Sequence, residues 1–162
     1  MIKKIRSKYI LKAIASNLST RLYLELFKYN KKLKRRLELS KKDYKSYNQI
    51  EIDIIPLQLE KRGKCTIVNY YYDEIPFYHI YLDDKELKKR NYFKKKDNAK
   101  KIKVLIDMEI KSLKRLFSGC NYIKEINFVK FNRNNILDMS YMLQGCENLI
   151  LLIYLKLKQI MW

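Results

Sequence analysis

The first third of the chain places its apolar residues at helical spacing. Ser7 is a suitable N-terminal cap, and the polar residues 16–20 separate two helical stretches. Within each stretch the apolar residues recur every three or four positions, as they do along one face of a helix. They are Ile10, Leu11, Ile14 and Leu18, then Leu22, Leu26, Tyr29, Leu33 and Leu37. The pattern predicts two helices within residues 3–46, which form a leader segment at 1–48.

The period of the pattern changes at about residue 49. Ile50, Ile52 and Ile54 alternate with polar residues until Pro56 interrupts the run. This two-residue period is typical of a half-buried strand. Three more strands are predicted at 65–72, 77–82 and 102–106, with a highly charged connection at 83–101. We therefore expect residues 49–106 to form a small, mainly antiparallel β region.

From residue 107 onward the chain repeats itself with a period of 26 residues. Gly119-Cys120 recurs as Gly145-Cys146, and LKRLFSGC before the first pair aligns with MSYMLQGC before the second. A period of this length lies within the range of leucine-rich repeats, in which each unit buries its apolar edge against the next. Residues 107–162 are therefore predicted to hold about one and a half repeats, with 123–128 as the strand of the first.

The repeat resembles a known family. The sequence INFVKFNRNNILDMSYMLQGCENL is similar to the unit of BspA-type leucine-rich repeat proteins, in which Asp-Met-Ser-x-Met followed by Gly-Cys is a specific phrase. The resemblance covers residues 113–150. Residues on the family pattern are Phe131, Asn134, Ile136, Asp138, Met139, Ser140, Met142, Gly145, Cys146 and Leu149. The leader and the β region also resemble the non-repeat leader of lysine- and asparagine-rich eukaryotic members of this family.

The resemblance implies a fold class, which is α+β: N-terminal helices, a small mainly antiparallel β region, and then the start of a leucine-rich-repeat solenoid. It also implies non-catalytic binding of a protein through a concave face, without a cofactor. We expect Lys124, Asn127, Val129 and Lys130 to line that face. These four residues are the predicted binding site.

The last ten residues depart from the repeat. Where 127–136 reads NFVKFNRNNI, the aligned stretch 153–162 reads IYLKLKQIMW. In an AT-rich gene, codons allowed by these residues can be read in a shifted frame as NLSK, then Ile or Val, then KTNNV, which is the family phrase. We therefore expect a frameshifted continuation of the repeat and a chain that is a fragment of a longer repeat protein. The alternative is ordinary drift of a terminal unit.

The net charge is +19, which normally indicates nucleic acid or an anionic membrane as a partner. However, the charge comes from 28 Lys and only 8 Arg, in a chain also rich in Ile, Asn and Tyr. These are residues with AT-rich codons, so codon bias explains most of the charge. Nonspecific binding of nucleic acid through the lysine-rich surface remains an alternative function, with Tyr70–Tyr72 and Tyr78 as possible stacking residues.

The cysteines and the N-terminus indicate an intracellular protein, which we place in the cytoplasm. Cys65, Cys120 and Cys146 are an odd number without a C-x-x-C pair, so neither a disulfide framework nor a zinc site is expected. Lys8 and Lys12 interrupt the apolar core that a signal peptide needs. No stretch approaches the roughly 20 apolar residues of a membrane-spanning helix.

No catalytic motif is found in the sequence. His79 is the only histidine and lies in a predicted strand, where a packing role is expected. The cysteines recur with the repeat, so they too are expected to pack. There is no glycine-rich phosphate loop and no H-E-x-x-H motif, and we predict no enzymatic activity. The two leader helices are also similar to an F-box, which would make the chain a ubiquitin-ligase adaptor with a Skp1-type partner for residues 3–40.

Overall fold

The structure, a computed structural model, describes residues 7, 9–10, 13–14, 31–37, 45–46, 48–57, 63–87, 90–133 and 135–154. The chain divides into two compact bodies, Met1–Asn48 and Gln49–Trp162, and each is described by itself. In the first body, helix α1 spans Lys31–Arg36. Its apolar residue Leu33 and the following Leu37 are buried, and the Leu37 amide donates to the Leu33 carbonyl at 3.0 Å.

The described part of the second body contains eight strands and two short 3₁₀ helices. The 3₁₀ helices lie at Tyr72–Phe77 and Lys95–Asp97. The strands are β1 (Ile50–Pro56), β2 (Lys64–Thr66), β3 (Tyr78–Leu82), β4 (Lys85–Glu86), β5 (Tyr92–Lys94), β6 (Ile102–Ile106), β7 (Ile123–Lys130) and β8 (Leu151–Tyr154).

Six of these strands form one mixed sheet in the order β4-β3-β6-β1-β7-β8. All neighbouring pairs are antiparallel except β7 and β8, which are parallel. The alternation in β1, β3 and β6 places one apolar residue from each strand in every buried row, because alternate side chains point to the same face. In the central row, Ile52 lies opposite Val104 and Phe128, and Ile80 lies opposite Val104. Strands β2 and β5 pair separately as a two-stranded ribbon.

The two repeats stack on each other in the register that the sequence predicts. We call residues 111–128 the first repeat and residues 137–154 the second repeat. Strand β7 pairs with β8 at an offset of 26 residues, and Ser112 bridges to Asp138 at the same offset. A ladder of backbone hydrogen bonds of 2.8–3.1 Å joins their turns, from the amides of Leu113, Arg115, Phe117 and Gly119 to the carbonyls of Asp138, Ser140, Met142 and Gln144. The repeat is therefore present in the structure as well as in the sequence.

The predicted fold class is nevertheless wrong. The described chain is mainly β, and the two repeats do not begin a solenoid. Strand β7 pairs with β1 in antiparallel orientation, so the first repeat belongs to the central sheet. The reason lies in β1, a central strand with one buried apolar face. Its backbone needs a hydrogen-bonded neighbour on each edge, and β7 is the second of these neighbours. Most of the predicted leader helices, and the predicted frameshift at 155–162, lie outside the described residues.

Candidate binding surface

The Gly-Cys phrase has the same structural role in both repeats. Gly119 and Gly145 end their turns with φ of +74° and +72°, a conformation that L-residues rarely adopt. The cysteine that follows then points its thiol at a backbone carbonyl: Cys120 Sγ lies 3.2 Å from the Thr66 oxygen and Cys146 Sγ lies 3.1 Å from the Phe117 oxygen. Each cysteine is thus a packing residue that closes its turn.

The thiols are not poised as nucleophiles. Burial raises the pKa of the Cys120 thiol to about 12, with a smaller contribution from Cys146. Burial also raises the pKa of Cys146 and of Cys65. A reactive cysteine needs the opposite shift, because the thiolate is the attacking species.

The second repeat differs from the first at positions that face outward. Four residues of the first repeat that are charged are apolar and exposed in the second. Lys111, Arg115, Lys124 and Glu125 correspond to Leu137 (81% exposed), Tyr141 (58%), Ile150 (75%) and Leu151 (43%). We call these four apolar residues the second-repeat surface. The two sets share the same turn geometry, down to a left-handed φ of 55° at Arg115 and 56° at Tyr141. The backbone therefore does not require the apolar side chains.

Two residues of the second-repeat surface, Leu137 and Tyr141, lie in basic surroundings. Lys111 and Arg115 are exposed on the adjacent first repeat, and the Arg115 guanidinium lies 5.5 Å from the centre of the Tyr141 ring. Lys114 Nζ lies 3.7 Å from the Asp138 carboxylate. Hydrogen bonds from Ser140 hold the pKa of Asp138 below its usual value. Leu137 and Tyr141 are thus flanked by Lys111 and Arg115, whose charges form no ion pair among the described residues.

The four residues predicted as the binding site all lie on β7, the strand next to β8. Asn127 pairs with Asp53 of β1 and with Ile153 of β8. Lys130 pairs with Glu51, and its partial burial lowers the pKa of its amine. Lys124 and Val129 lie where the register between β1 and β7 shifts, so each is an extra residue in the strand; Val129 is exposed. The four predicted residues thus share one strand. The more exposed apolar residues lie on the neighbouring second repeat.

The polar face of the central sheet is balanced in charge. Lys101 Nζ lies 2.6 Å from Asp53 Oδ2, and Lys103 Nζ lies 3.4 Å from Glu51 Oε1. On β7, Lys124 Nζ lies 3.3 Å from Glu125 Oε1. The other carboxylate oxygen of Asp53, and Oδ1 of the neighbouring Asn127, are buried and accept no hydrogen bond. Because each of these lysines faces a carboxylate, this face does not offer a surplus of positive charge to phosphate.

His79 lies on the same face, where its ring contacts two carboxylates. Its Nε2 lies 3.4 Å from Asp107 Oδ2, and its Nδ1 lies 3.9 Å from Glu86 Oε1. Asp107 also accepts a hydrogen bond of 2.7 Å from Gln49 Nε2. Among the described residues, no group of three or more histidine, cysteine, aspartate or glutamate side chains is arranged to hold a metal ion.

The tyrosines considered for stacking do not form one platform. Tyr70 packs on Tyr78 with ring centres 5.2 Å apart, and Tyr78 is buried, which raises the pKa of its hydroxyl. Tyr71 and Tyr72 are exposed at the start of a 3₁₀ helix. The F-box-like segment at 3–40 lies mostly outside the described residues, so that prediction is untested.

Sequence reasoning missed the second-repeat surface. The signal was present, because aligning the two repeats position by position exposes the exchange of charged for apolar residues. It was overlooked because Leu137, Ile150 and Leu151 fit the apolar composition expected of a repeat, and sequence alone does not separate inward from outward positions in a turn.

Comparisons with protein-family models, with curated proteins and with solved structures find no match to this chain. The BspA-type resemblance therefore stays a prediction. Within the part of the chain that the structure describes, no helix has the length and apolar character needed to cross a membrane.

Proposed function

We propose that the chain is a non-catalytic protein-binding module whose main contact area is the second-repeat surface. The observation that carries the proposal is the internal comparison: equivalent backbone positions are charged in the first repeat and apolar and exposed in the second. Exposed apolar side chains that the fold does not need are candidates for contact with a partner. Burying such a side chain on a partner contributes about 1.5–3 kcal/mol.

The charge around this surface defines the partner. Lys111 and Arg115 flank it, and the chain carries a net charge of +19. Two copies of so basic a chain repel each other, which disfavours self-association. A partner that is apolar at its centre and carries carboxylates at its rim complements the surface in both respects. The predicted residues Lys124, Asn127, Val129 and Lys130 then supply contacts on the adjacent strand.

The setting proposed for this function is intracellular. All three cysteines are free, which suits a reducing compartment.

The experiment replaces each apolar residue by its own counterpart in the first repeat. The swap variant carries Leu137→Lys, Tyr141→Arg, Ile150→Lys and Leu151→Glu. Because the first repeat already carries these side chains on the same backbone, we expect the fold to persist, which circular dichroism and thermal melting check. The control variant carries Tyr71→Lys and Tyr72→Lys; it also removes exposed apolar side chains and changes the net charge equally.

The full chain is immobilised, and proteins captured from a lysate of the cells that produce it are quantified by mass spectrometry. We expect the swap variant to capture at least about tenfold less of an acidic partner than the control variant does. Loss of even one buried leucine contact lowers the affinity by that factor. Equal capture by all three proteins would overturn the proposal. So would a dimer in sedimentation velocity that only the swap abolishes, because the occupant would then be a second copy.

A further inference from the structure

The ribbon of β2 and β5 has two different faces. Cys65 lies opposite Phe93 on the inner face, where Phe93 packs edge-on against Tyr122 with ring centres 4.7 Å apart. On the outer face, Lys64 lies opposite Lys94, and Thr66 lies opposite Tyr92. We call this second set, with the adjacent Arg90, the ribbon site. Its side chains point outward, because alternate residues of a strand face opposite sides.

Three cations converge on one aromatic ring in the ribbon site. The distances to the centre of the Tyr92 ring are 5.0 Å from Lys64 Nζ, 5.6 Å from Arg90 Cζ and 5.8 Å from Lys94 Nζ. The ring attracts each cation, but the cations repel one another. The directly opposite pair Lys64 and Lys94 is a like-charge cross-strand pair, which destabilises a sheet. The fold of this short ribbon does not require that pair.

The Asp97 carboxylate beside the ribbon site is already committed to other partners. Asp97 accepts two hydrogen bonds from the Arg90 guanidinium, at 2.9 and 3.1 Å, and a third from the Lys94 amide at 2.8 Å. The guanidinium holds the pKa of Asp97 below its ordinary value. Among the described residues, neither Lys64 nor Lys94 forms an ion pair with a carboxylate. This differs from the polar face of the central sheet, where Lys101 and Lys103 each have one.

We propose that the ribbon site binds single-stranded nucleic acid. Lys64 and Lys94 contact successive phosphates, the base between them stacks on Tyr92, and Arg90 is held beside the ring by Asp97. Cations that leave the ring for phosphates free its face for a base. Strands of three residues span about 10 Å, which fits two or three nucleotides, and stacking on the ring requires an unpaired base.

The composition of the site favours nucleic acid over a lipid surface. Proteins that insert into an anionic bilayer present exposed aliphatic or aromatic side chains beside their cations. The outer face of the ribbon carries Thr66 and a half-buried Tyr92 instead. Lysine amines beside an aromatic ring combine the positive charge and the stacking surface that proteins use to bind single strands.

The test measures fluorescence anisotropy of a labelled oligo(dT) of about 12 nucleotides, with salt varied from about 50 to 200 mM. The full chain is compared with Lys64→Gln/Lys94→Gln and with Tyr92→Leu. The matched control is Lys101→Gln/Lys103→Gln, which removes two lysines that already face carboxylates. Thermal melting checks each fold; the first variant should fold at least as well as the parent, because a repulsion is removed.

We expect the ribbon lysine variant to lower the slope of log affinity against log salt by about 1.4, since each phosphate contact on a single strand contributes about 0.7. Tyr92→Leu should weaken binding by roughly 5-fold to 150-fold with the slope unchanged. Equal slopes for the ribbon variant and the control would overturn the proposal, because binding would then follow net charge alone. Binding of phosphatidylserine vesicles that depends on the ribbon lysines, without affinity for the oligonucleotide, would also overturn it.

Discussion

The buried Arg133 offers the most direct test of how the repeats are attached to the central sheet. Its side chain is 3% exposed. The guanidinium donates to the carbonyl oxygens of Asp107 at 2.9 Å, Met108 at 3.0 Å and Ile110, and to Asn135 Oδ1 at 2.9 Å. It thereby closes the loop that follows β6 and joins it to the segment between the repeats. Burial lowers the pKa of this guanidinium, so the charge carries a desolvation cost.

Replacing Arg133 by Met keeps most of the apolar volume and removes both the charge and its hydrogen bonds. The desolvation cost disappears, but three loop carbonyls each lose a hydrogen bond from the guanidinium, at about 1 kcal/mol or more each. Of the three, the Asp107 carbonyl also accepts from the Ile110 amide at 3.3 Å. We therefore expect the free energy of unfolding to fall by about 3 kcal/mol, and Tm to fall by roughly 10 °C. Arg133→Lys should recover part of the loss, since an ammonium keeps the charge without the planar fork.

Urea unfolding followed by circular dichroism measures these differences. Arg115→Met is the control, because Arg115 is exposed and its loss should change stability by less than about 0.5 kcal/mol. If Arg133→Met were as mild as this control, the three carbonyls would be satisfied by water, and the reasoning about the loop would be refuted.

Two further predictions concern the turns. Gly119→Ala and Gly145→Ala should each cost about 1 kcal/mol, because both glycines have a left-handed φ while a new Cβ would meet only ordinary contacts. Gly63→Ala, with open space and no such φ, should be neutral or slightly stabilising; urea unfolding with equal effects at all three sites would contradict this. For Cys120, the raised pKa of about 12 means that its stabilising contribution is complete below the unfolded pKa near 9 and is lost as pH rises toward 12. Between pH 9 and 10 the parent should therefore lose up to about 1.4 kcal/mol more stability than Cys120→Ala, and identical pH profiles of the two proteins would rule this out.

The sequence predicts strands well where alternation is uninterrupted. Strands β3 and β6 lie within about one residue of their predicted bounds, and β1 continues past the predicted alternation to include Pro56. One face of each strand is buried, and this face sets the period. Alternation fails in the predicted strand 65–72. There the consecutive residues Ile67 and Val68 are both buried, and pairing ends at Thr66.

Other elements depend on contacts that are distant in sequence. Strand β5 lies in the charged segment 83–101, and only Phe93 marks its buried side. The repeat period predicts that β7 and β8 stack, but not that β7 also pairs with β1, whose paired residues lie 67–79 positions earlier. Because of that pairing, the strands of the two repeats form one side of a single sheet instead of the expected solenoid.

The sequence did not predict the second-repeat surface. The four residues that it predicts for binding lie on β7 instead. The left-handed φ of Arg115 and Tyr141 determines which side chains of each turn face outward. Neither position is a glycine, so the sequence does not reveal this conformation. The exchange of charged for apolar residues is visible in the aligned repeats, and the structure adds that the apolar residues are exposed.

The most direct measurement of the central claim uses a photo-crosslinking amino acid at two register-matched positions. Leu151 of β8 and Glu125 of β7 are paired residues of the second and first repeats. With p-benzoylphenylalanine at each position in turn, the account predicts that irradiation in the producing cells crosslinks an acidic protein at position 151 and much less of it at position 125. Equal crosslinking at both positions, or none at 151, would contradict the claim that the second repeat is the binding surface.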